Sequence, residues 1–380
     1  MASSLIVSFD PPLPLNRLFV SERFVRIIHE LNIVERYFDN KMVKEMFEYY
    51  DKNSYRPLVN SLLTAAKLNM PVYVSTTGVF LEMAYKYDQE LFKQIYAASS
   101  TGMLKVIPST FYGGLYPLCE NSGEEIGEQL KLVSDLTSKY GLNKASACVM
   151  PYLIYNESAE KGAKAAGIET LITEEVNGFT DHRFVYTNVS GDLRIAIRNR
   201  ELSEALTTGS FENIGNKDGI IFISAEEIAT KGQKYAEVVG NYIYNGGLDL
   251  AYIPPVKNPT TGTLYAPQKP YLFNTSYSDG SPLWYRSKSQ TMLMDKMCAL
   301  YQYVKWLGDQ KLLQVWRILM QADLFYSLIG ENTRRAKLIA DPDEAKIIYS
   351  YILSDFEGKL ATMILKKKEK ASETEIKTKL

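Results

Sequence analysis

Two pairs of adjacent acids are the residues in this sequence best suited to acid–base chemistry. Glu174 and Glu175 follow one apolar run, and Glu226 and Glu227 follow another. When two carboxyl groups lie close together their charges repel, which raises the pKa of one of them and prepares it to donate a proton. Adjacent acids more often point apart into solvent, and the pattern favours that simpler interpretation for both pairs. Glu226 and Glu227 are the stronger candidates.

The sequence lacks the residue patterns of metal sites, phosphate-binding loops and serine hydrolases. The chain has 380 residues but only 2 histidines, His29 and His182, and neither has a second histidine or a cysteine at metal-ligand spacing. No glycine-rich phosphate loop and no Gly-x-Ser-x-Gly motif follows any apolar run. We therefore expect no metal and no other cofactor, and we expect neither nucleotide binding nor serine hydrolysis.

The charge and the cysteine content indicate which classes of partner and which cellular compartment to expect. The formal net charge of -1 gives no global attraction to nucleic acids or anionic membranes. The cysteines Cys119, Cys148 and Cys298 are widely spaced and odd in number, which predicts free thiols in a reducing compartment. No secretory leader and no membrane-spanning apolar stretch is evident. The sequence predicts a soluble cytoplasmic protein that acts on a neutral or small polar partner.

Seven short runs rich in apolar residues recur between residues 1 and 250, and each precedes a longer segment of helical periodicity. This alternation predicts repeated βα units. The run that begins at Gly219 carries apolar residues on both faces, as a parallel strand covered on both sides requires. A curved parallel sheet or a barrel is therefore expected. The runs are Leu5 to Phe9, Val72 to Thr76, Leu104 to Pro108, Ala145 to Met150, Thr170 to Thr173, Leu193 to Arg198 and Gly219 to Ala225.

Changes in composition divide the chain into four parts. Residues 1–253 contain the βα units and are predicted to form the barrel. Residues 254–285 are rich in Pro, Gly, Asn, Ser and Tyr without periodicity, which indicates a long loop at a domain boundary. Residues 286–363 are amphipathic and predict a helical domain. Residues 364–380 are charged and poor in apolar side chains, so we expect a disordered tail.

Tyrosines are the other recurrent feature of the predicted strand ends. Groups that do chemistry on parallel barrels lie where strands end and the following loops begin. The chain has 27 tyrosines, and several of them fall at such positions. A tyrosine ring combines an apolar face with a polar hydroxyl, which suits it to stack on a sugar. The tyrosines near strand ends or in the long loop are Tyr112, Tyr116, Tyr152, Tyr155 and Tyr277.

Several ordered motifs resemble the α-amylase branch of glycoside hydrolase family 57. They include the segment from Tyr37 to Phe47, Thr76-Thr-Gly-Val-Phe-Leu-Glu-Met, Pro151-Tyr-Leu-Ile-Tyr-Asn-Glu, and the segment from Asp341 to Glu357. The resemblance covers roughly residues 4–360 in the family's order. It implies an α/β fold, an incomplete seven-stranded (β/α)7 TIM-like barrel followed by a C-terminal α-helical domain. It also implies an α-glucan or maltooligosaccharide as the ligand.

The resemblance further implies that the family's catalytic carboxylates are missing. The family's nucleophilic Glu precedes a Leu-Ile-Tyr-Asn-like segment, and Tyr152 stands at that position. The family's acid/base Asp opens an Asp-x-Glu motif, where this chain has Ser224 before a matching Glu226. Glu226 and Glu227 are therefore the candidate substitutes for the missing acids. The candidate ligand-binding residues are Asp10, Tyr112, Tyr152, Glu226, Asp279 and Trp284.

Three functions are consistent with these substitutions. The favoured hypothesis is a non-catalytic homologue that binds an oligosaccharide or regulates a protein partner, which the sequence does not identify. The alternative is an active α-glucan hydrolase or 4-α-glucanotransferase with relocated carboxylates, which requires two carboxyl groups about 5 to 5.5 Å apart. A weaker third hypothesis is an assembly protein that docks through the long loop or the charged tail.

Overall fold

The computed structural model describes residues 3–20, 32–175, 180–210, 218–245, 248–253, 262–268, 284–329 and 337–379, with side chains described as far as residue 371. These residues form two compact units. The first takes in the described residues between 1 and 11 and between 44 and 283. The second takes in those between 12 and 43, between 284 and 331 and between 337 and 380. The described residues between 12 and 43 thus belong to the second unit, whereas the sequence placed them in the predicted barrel domain, residues 1–253.

The first unit contains the β-strands, in two sheets. One sheet has the order β3-β2-β1-β8 and the other has the order β4-β5-β7-β6-β9. Adjacent strands pair in parallel, except that β6 and β7 are antiparallel. The strands are β1 (Ser3–Phe9), β2 (Val72–Thr76), β3 (Leu104–Pro108), β4 (Ala147–Val149), β5 (Thr170–Thr173), β6 (Val185–Thr187), β7 (Arg194–Ile197), β8 (Gly219–Ser224) and β9 (Gly262–Thr263).

Two isolated bridges join these sheets into a barrel. Val106 of β3 bridges Lys144 just before β4, and Arg198 just after β7 bridges Ile220 of β8. The wall therefore runs β1, β2, β3, β4, β5, β7 and β8, which confirms the seven-stranded (β/α)7 barrel and all seven predicted strands. Buried apolar side chains from these strands fill its interior, as the apolar runs require. They include Ile6, Tyr73, Ile107, Val149, Ile172, Ala196 and Ile220.

Four helices of the barrel begin immediately after a strand end or its short loop, each at a residue that caps it. The cap side chain accepts a hydrogen bond from a backbone N–H of the first helical turn, which has no partner within the helix. Thr77, Asn156, Asn199 and Ser224 all do this. The described helices are α1 (Ile33–Tyr37), α2 (Asn40–Tyr50), α3 (Arg56–Lys67), α4 (Gly78–Tyr87), α5 (Gln89–Ser100), α6 (Gly123–Lys139), α7 (Glu157–Ala165), α8 (Arg200–Thr208), α9 (Ala225–Ala229), α10 (Gln233–Tyr244), α11 (Lys288–Leu307), α12 (Gln310–Leu319), α13 (Ala322–Tyr326) and α14 (Pro342–Lys379).

The second unit is helical, as its amphipathic sequence predicts. Ser287 and Gln290 form a capping box at the start of α11, and Gly308 ends that helix in the left-handed conformation. Trp316 of α12 is buried and donates from its indole nitrogen to the Met297 carbonyl, at 2.8 Å. Helix α14 continues to Lys379, so the charged segment that we expected to be disordered is helical. That segment contains no glycine or proline, and lysine and glutamate are good helix formers.

The cysteines differ from the expectation of three free thiols. Cys148 is a buried free thiol in β4, and burial in an apolar environment raises its pKa. Cys119 and Cys298 are each disulfide-bonded. The predicted compartment stays a prediction. Among the helices that the structure describes, none combines the length and the apolar content needed to cross a bilayer.

Candidate functional site

A buried carboxylate lies at the end of β8. The side chain of Glu226, at the start of α9, is only 1% exposed. Its Oε1 accepts hydrogen bonds from the Asp10 backbone N–H at 2.7 Å and from the Tyr55 hydroxyl at 2.8 Å. Its Oε2 accepts from the Ser224 hydroxyl at 2.8 Å. Glu226 therefore links the ends of β1 and β8 to the helical segment that carries Tyr55.

Tyr55 reaches Glu226 because of an irregular helical turn. Residues Asp51–Tyr55 form one π-helical turn between α2 and α3, a wide turn that is rare and is found frequently at functional sites. The Tyr55 ring is fully buried and lies edge-on to Phe9, the last residue of β1, with the ring centroids 5.3 Å apart. This packing aims the hydroxyl at the Glu226 carboxylate.

A second buried carboxylate lies at the end of β5, and its partners are charged. Glu174 is 2% exposed, and its Oε2 lies 2.6 Å from the Arg198 guanidinium that follows β7. Its Oε1 lies 3.4 Å from Nε of Arg200 and accepts from the Glu175 backbone N–H at 3.0 Å. The guanidinium of Arg200 also donates to the Glu175 carbonyl. These contacts tie the end of β5 to the end of β7.

The turn after β4 has an unusual backbone. Tyr152 and Leu153 both adopt the left-handed region, with φ of 54° and 57°, and neither is glycine. A residue with a Cβ in this region costs about 1 to 3 kcal/mol, so it persists only where its surroundings hold it. The Thr173 hydroxyl, at 2.8 Å, and the Glu174 backbone N–H, at 3.4 Å, both donate to the Leu153 carbonyl. The end of β5 thus holds the strained turn that presents Tyr152, which is half-buried.

The Asp10 carboxylate lies against the loop that follows β3. Gly113 in that loop has a φ of 63°, and a Cβ built on it would lie 2.6 Å from an Asp10 carboxylate oxygen. Only glycine allows this approach without strain. The neighbouring Tyr112 is half-buried, with its ring 4.8 Å from that of Phe111 between centroids.

The structure brings several of the predicted site residues together. Asp10, Ser224 and Glu226 belong to one hydrogen-bonded network, and Asp10 also contacts the segment that carries Tyr112. Glu227 is half-buried, and its backbone N–H donates to the Ser224 hydroxyl at 3.3 Å. These placements are consistent with a site at the strand ends, but the assignment of binding roles stays a prediction.

Two predicted residues are not among the described residues of the first unit. Trp284 belongs to the second unit, where it is 1% exposed and packs against Tyr326 with the ring centroids 6.2 Å apart. Asp279 lies outside the described residues. Neither the contact of Tyr55 with Glu226 nor the pairing of Glu174 with Arg198 and Arg200 was predicted from the sequence. The sequence Arg-Asn-Arg follows β7, which pairs in parallel with β5. This placement of two arginines beside the acids that follow β5 could have indicated the ion pair.

One group of potential metal ligands occurs among the described residues. Donor atoms of Glu175, Asp181 and His182 lie within 4.8 Å of one another. Nδ1 of His182 is 2.9 Å from the Glu175 carboxylate, and Nε of Arg183 donates to both Asp181 oxygens at 2.9 and 3.0 Å. A cation would have to displace or tolerate that guanidinium. The absence of a metal therefore stays a prediction.

The two buried strand-end carboxylates can be compared with those that a retaining glycosidase uses. Such an enzyme presents one carboxylate to attack the sugar and a second carboxyl group, about 5 to 5.5 Å away, to transfer protons. The oxygens of Glu226 and Glu174 are buried and already accept hydrogen bonds or ion pairs from the protein. Both acids hold barrel segments in place. The other predicted residues near these strand ends are Asp10, Tyr112, Tyr152 and Glu227, and their contacts with a ligand stay a prediction.

Comparison with known proteins gives a consistent result. The family model described as Glycosyl hydrolase family 57 matches residues 13–234, which is more than half of the chain. A Methanocaldococcus jannaschii protein named "Putative alpha-amylase" is 29% identical over 177 residues, which are 45% of this chain and 37% of that protein. The chain thus spans little more than a third of the length of that relative.

Solved structures show the same fold at low sequence identity. The 4-alpha-glucanotransferase from Thermococcus litoralis has a TM-score of 0.60 and 14% identity, covering 85% of this chain and 56% of that one. A GH57 branching enzyme from Thermococcus kodakaraensis has a TM-score of 0.60 and 11% identity, covering 95% of this chain and 90% of that one. The fold of these structures extends over most of this chain.

Proposed function

Since the chain belongs to glycosyl hydrolase family 57, we propose that it binds α-glucan oligosaccharides at the carboxyl ends of its barrel strands without cleaving them. The substrate class comes from the relatives, which include a protein named as an α-amylase and a 4-alpha-glucanotransferase. The proposed inability to cleave these oligosaccharides rests on this chain's own residues. The observation that carries it is the hydrogen bonding of Glu226.

Glu226 is the acid that best matches a catalytic motif, and its oxygens are already engaged. To attack a sugar or exchange a proton with it, the carboxylate would have to give up hydrogen bonds to Asp10, Tyr55 or Ser224. A hydrogen bond to a charged group contributes about 1.5 to 3 kcal/mol, so losing several of them would raise the barrier to reaction. A buried carboxylate in such a network supports a structural role for Glu226.

The two positions that the family resemblance aligns with catalytic acids carry no acid. Ser224 caps α9 and donates to Glu226, so its hydroxyl is committed within the protein. Tyr152 lies on the strained turn after β4. Without a nucleophile and a proton donor, the rate acceleration that covalent and acid–base catalysis provide is lost.

The same strand ends offer contacts that suit a sugar. The half-buried rings of Tyr112 and Tyr152 can stack on pyranose faces, and the Asp10 carboxylate can accept hydrogen bonds from hydroxyls. Strain at Tyr152 supports a binding role, because backbone outliers cluster at ligand-binding and active sites.

Paired assays on maltooligosaccharides test this proposal. Isothermal titration calorimetry measures binding, and chromatography of the products measures hydrolysis and transglycosylation. We expect binding without turnover, and we expect Tyr152→Ala to weaken binding at least tenfold. Tyr85→Ala is the matched control, because Tyr85 is 50% exposed on α4, outside the strand ends. Turnover that is abolished by Glu226→Gln but survives Glu201→Gln, a change at an exposed acid of α8, would overturn the proposal.

An active enzyme with relocated carboxylates is the second candidate. It is favoured by the adjacency of two acidic residues at neighbouring strand ends, because the Asp10 backbone lies 2.7 Å from the Glu226 carboxylate. This candidate predicts that Asp10→Asn abolishes turnover. The double substitution Tyr152→Glu with Ser224→Asp is the complementary experiment, because it restores acids at both family positions. On the non-catalytic proposal, only this double variant gains hydrolysis.

A further inference from the structure

A polar groove on the outer surface of the first unit has no role in the proposed function. Its volume is about 600 Å³, and it lies between the π-helical turn Asp51–Tyr55, helix α3 and helix α10. The volume is within the range of about 300 to 1,000 Å³ that is usual for small-molecule sites. All of its lining residues belong to the described part of the first unit.

The groove follows from how α3 and α10 pack. Gly240 in α10 lies against Ser61 in α3, and a Cβ at that glycine would overlap the serine hydroxyl. Ser61 donates in turn to the Pro57 carbonyl at 2.9 Å, which fixes the hydroxyl in the contact. The two helices therefore approach closely at this point, and the wider π-helical turn lies beside them as the remaining wall.

The side chains of the groove suit a neutral ligand with many hydroxyl groups. The lining has two acids, Asp51 and Glu237, and two bases, Lys52 and Arg56, and Arg56 also pairs with Asp88, so no strong net charge selects an ion. Amide side chains both donate and accept hydrogen bonds, as ligand hydroxyls do, and three of them line the groove. A half-buried tyrosine ring adds an apolar face. The amides and the tyrosine are Asn60, Gln233, Asn241 and Tyr244.

Asp51 provides an independent indication that the groove takes a ligand. Its side chain is 14% exposed, and its Oδ2 accepts from the Arg56 guanidinium at 3.0 Å. Its Oδ1 is buried without a hydrogen-bond partner among the described residues. Burial raises the pKa of this carboxyl, and the Asp88 carboxylate, which contacts the same Arg56 guanidinium, raises it further. A ligand hydroxyl that reached Oδ1 of Asp51 would supply the donor that it lacks.

We propose that this groove is a second saccharide-binding site, in which Asp51 and the amides of Asn60, Gln233 and Asn241 bind hydroxyls and Tyr244 contacts a ring face. The site is separate from the strand ends and does not depend on binding there. Its ligand class is a short neutral saccharide, for which maltotriose is the probe.

Hydrogen–deuterium exchange and calorimetry with maltotriose test this site. We expect maltotriose to slow exchange in residues 51–67 and 233–244. The double variant Gln233→Ala with Asn241→Ala is expected to weaken binding at the groove about tenfold, the change expected for losing two neutral hydrogen bonds. Both residues are exposed, so the fold should be unaffected. Gln89→Ala is the matched control, because Gln89 is also an exposed first residue of a helix, α5.

The Tyr152→Ala variant separates the two proposed sites. If the groove is a site of its own, protection of residues 51–67 and 233–244 survives in Tyr152→Ala and is lost in the double variant. If the strand-end proposal alone fails, protection at the groove is unchanged. Absence of protection in both segments, or equal binding by the wild type and the double variant, would overturn the groove site. Equal weakening by Gln89→Ala would do the same.

Discussion

The ends of β8 and β5 each bury one carboxylate, but they neutralise it in different ways. Glu226 accepts from a backbone N–H and two hydroxyls, which are all neutral donors. Glu174 faces the guanidinium groups of Arg198 and Arg200. The Glu226 contacts with Asp10 and Tyr55 join residues 216 and 171 positions apart in the chain, whereas those of Glu174 with the arginines span 24 and 26 positions.

This difference predicts what each carboxylate contributes to stability. At the end of β8 the carboxylate accepts hydrogen bonds from neutral donors, so an uncharged acceptor of the same shape can preserve most of these hydrogen bonds. At β5 the acid compensates two partly buried positive charges, and no neutral group can do so. A common position at a strand end therefore does not mean a common role. The matched Glu→Gln substitutions below test this distinction.

Glu174→Gln should have the largest effect on stability. The amide keeps the shape of the side chain but removes the negative charge that faces Arg198 and Arg200, and these side chains are only 14% and 20% exposed. We expect the free energy of unfolding to fall by about 3 kcal/mol, measured by urea denaturation at pH 7. Glu201→Gln, at an exposed position, should change it by less than about 0.5 kcal/mol. A loss in Glu174→Gln no larger than in this control would contradict the charged role.

Glu226→Gln should have a smaller effect. The amide oxygen can still accept from the Asp10 N–H and the Tyr55 hydroxyl, while the amide nitrogen can donate to the Ser224 oxygen after its hydroxyl rotates. We expect a loss of about 1 kcal/mol in the same urea experiment, as for a change in one ordinary hydrogen bond. If Glu226→Gln and Glu174→Gln are equally destabilising, the distinction between the two strand ends is wrong.

Tyr152→Gly should have the smallest effect on stability, with the opposite sign. Glycine adopts the left-handed region without strain, which gains about 1 to 2 kcal/mol, while its greater freedom in the unfolded chain costs about 0.5 to 1 kcal/mol. We expect a net gain of about 0.5 kcal/mol together with weaker maltooligosaccharide binding. Tyr152→Phe retains the ring and the strain, and so should match the wild type in stability. Destabilisation by Tyr152→Gly would instead indicate that the ring is needed for packing.

The strands were predictable because each had to be apolar on both faces. The barrel puts one face of a strand such as β8 inside and covers the other with helices, so the run from Gly219 to Ser224 is apolar almost throughout. The capping role of Ser224 can likewise be predicted from the sequence, because it depends only on residues within one helical turn. Helix α14 was missed beyond residue 363 because its charged face lacks the apolar period on which the prediction relied.

The partners of the site residues were much harder to predict. Nothing near Tyr55 in the sequence indicates that its hydroxyl meets a carboxylate 171 positions away, because that contact depends on a π-helical turn and on packing against Phe9. The role of Trp284 was open for a related reason. An aromatic residue beside a predicted loop is equally consistent with a binding site and with a core, and the sequence does not show how deeply it is buried.

The two isolated bridges that join the sheets, between β3 and β4 and between β7 and β8, divide the barrel into two half-shells. The hydrogen bonds and ion pairs described above place each buried carboxylate in one of these half-shells. Glu226 lies within the half-shell of β1, β2, β3 and β8, and Glu174 within that of β4, β5 and β7. Short contacts such as Ala145 N–H to Val106 O and Asn199 N–H to Ile220 O, both 2.8 Å, close the wall between them. Tyr152 and Ser224 belong to opposite half-shells. On the proposed function, a sugar that contacts both residues would link the two half-shells, in addition to the few hydrogen bonds that now join them.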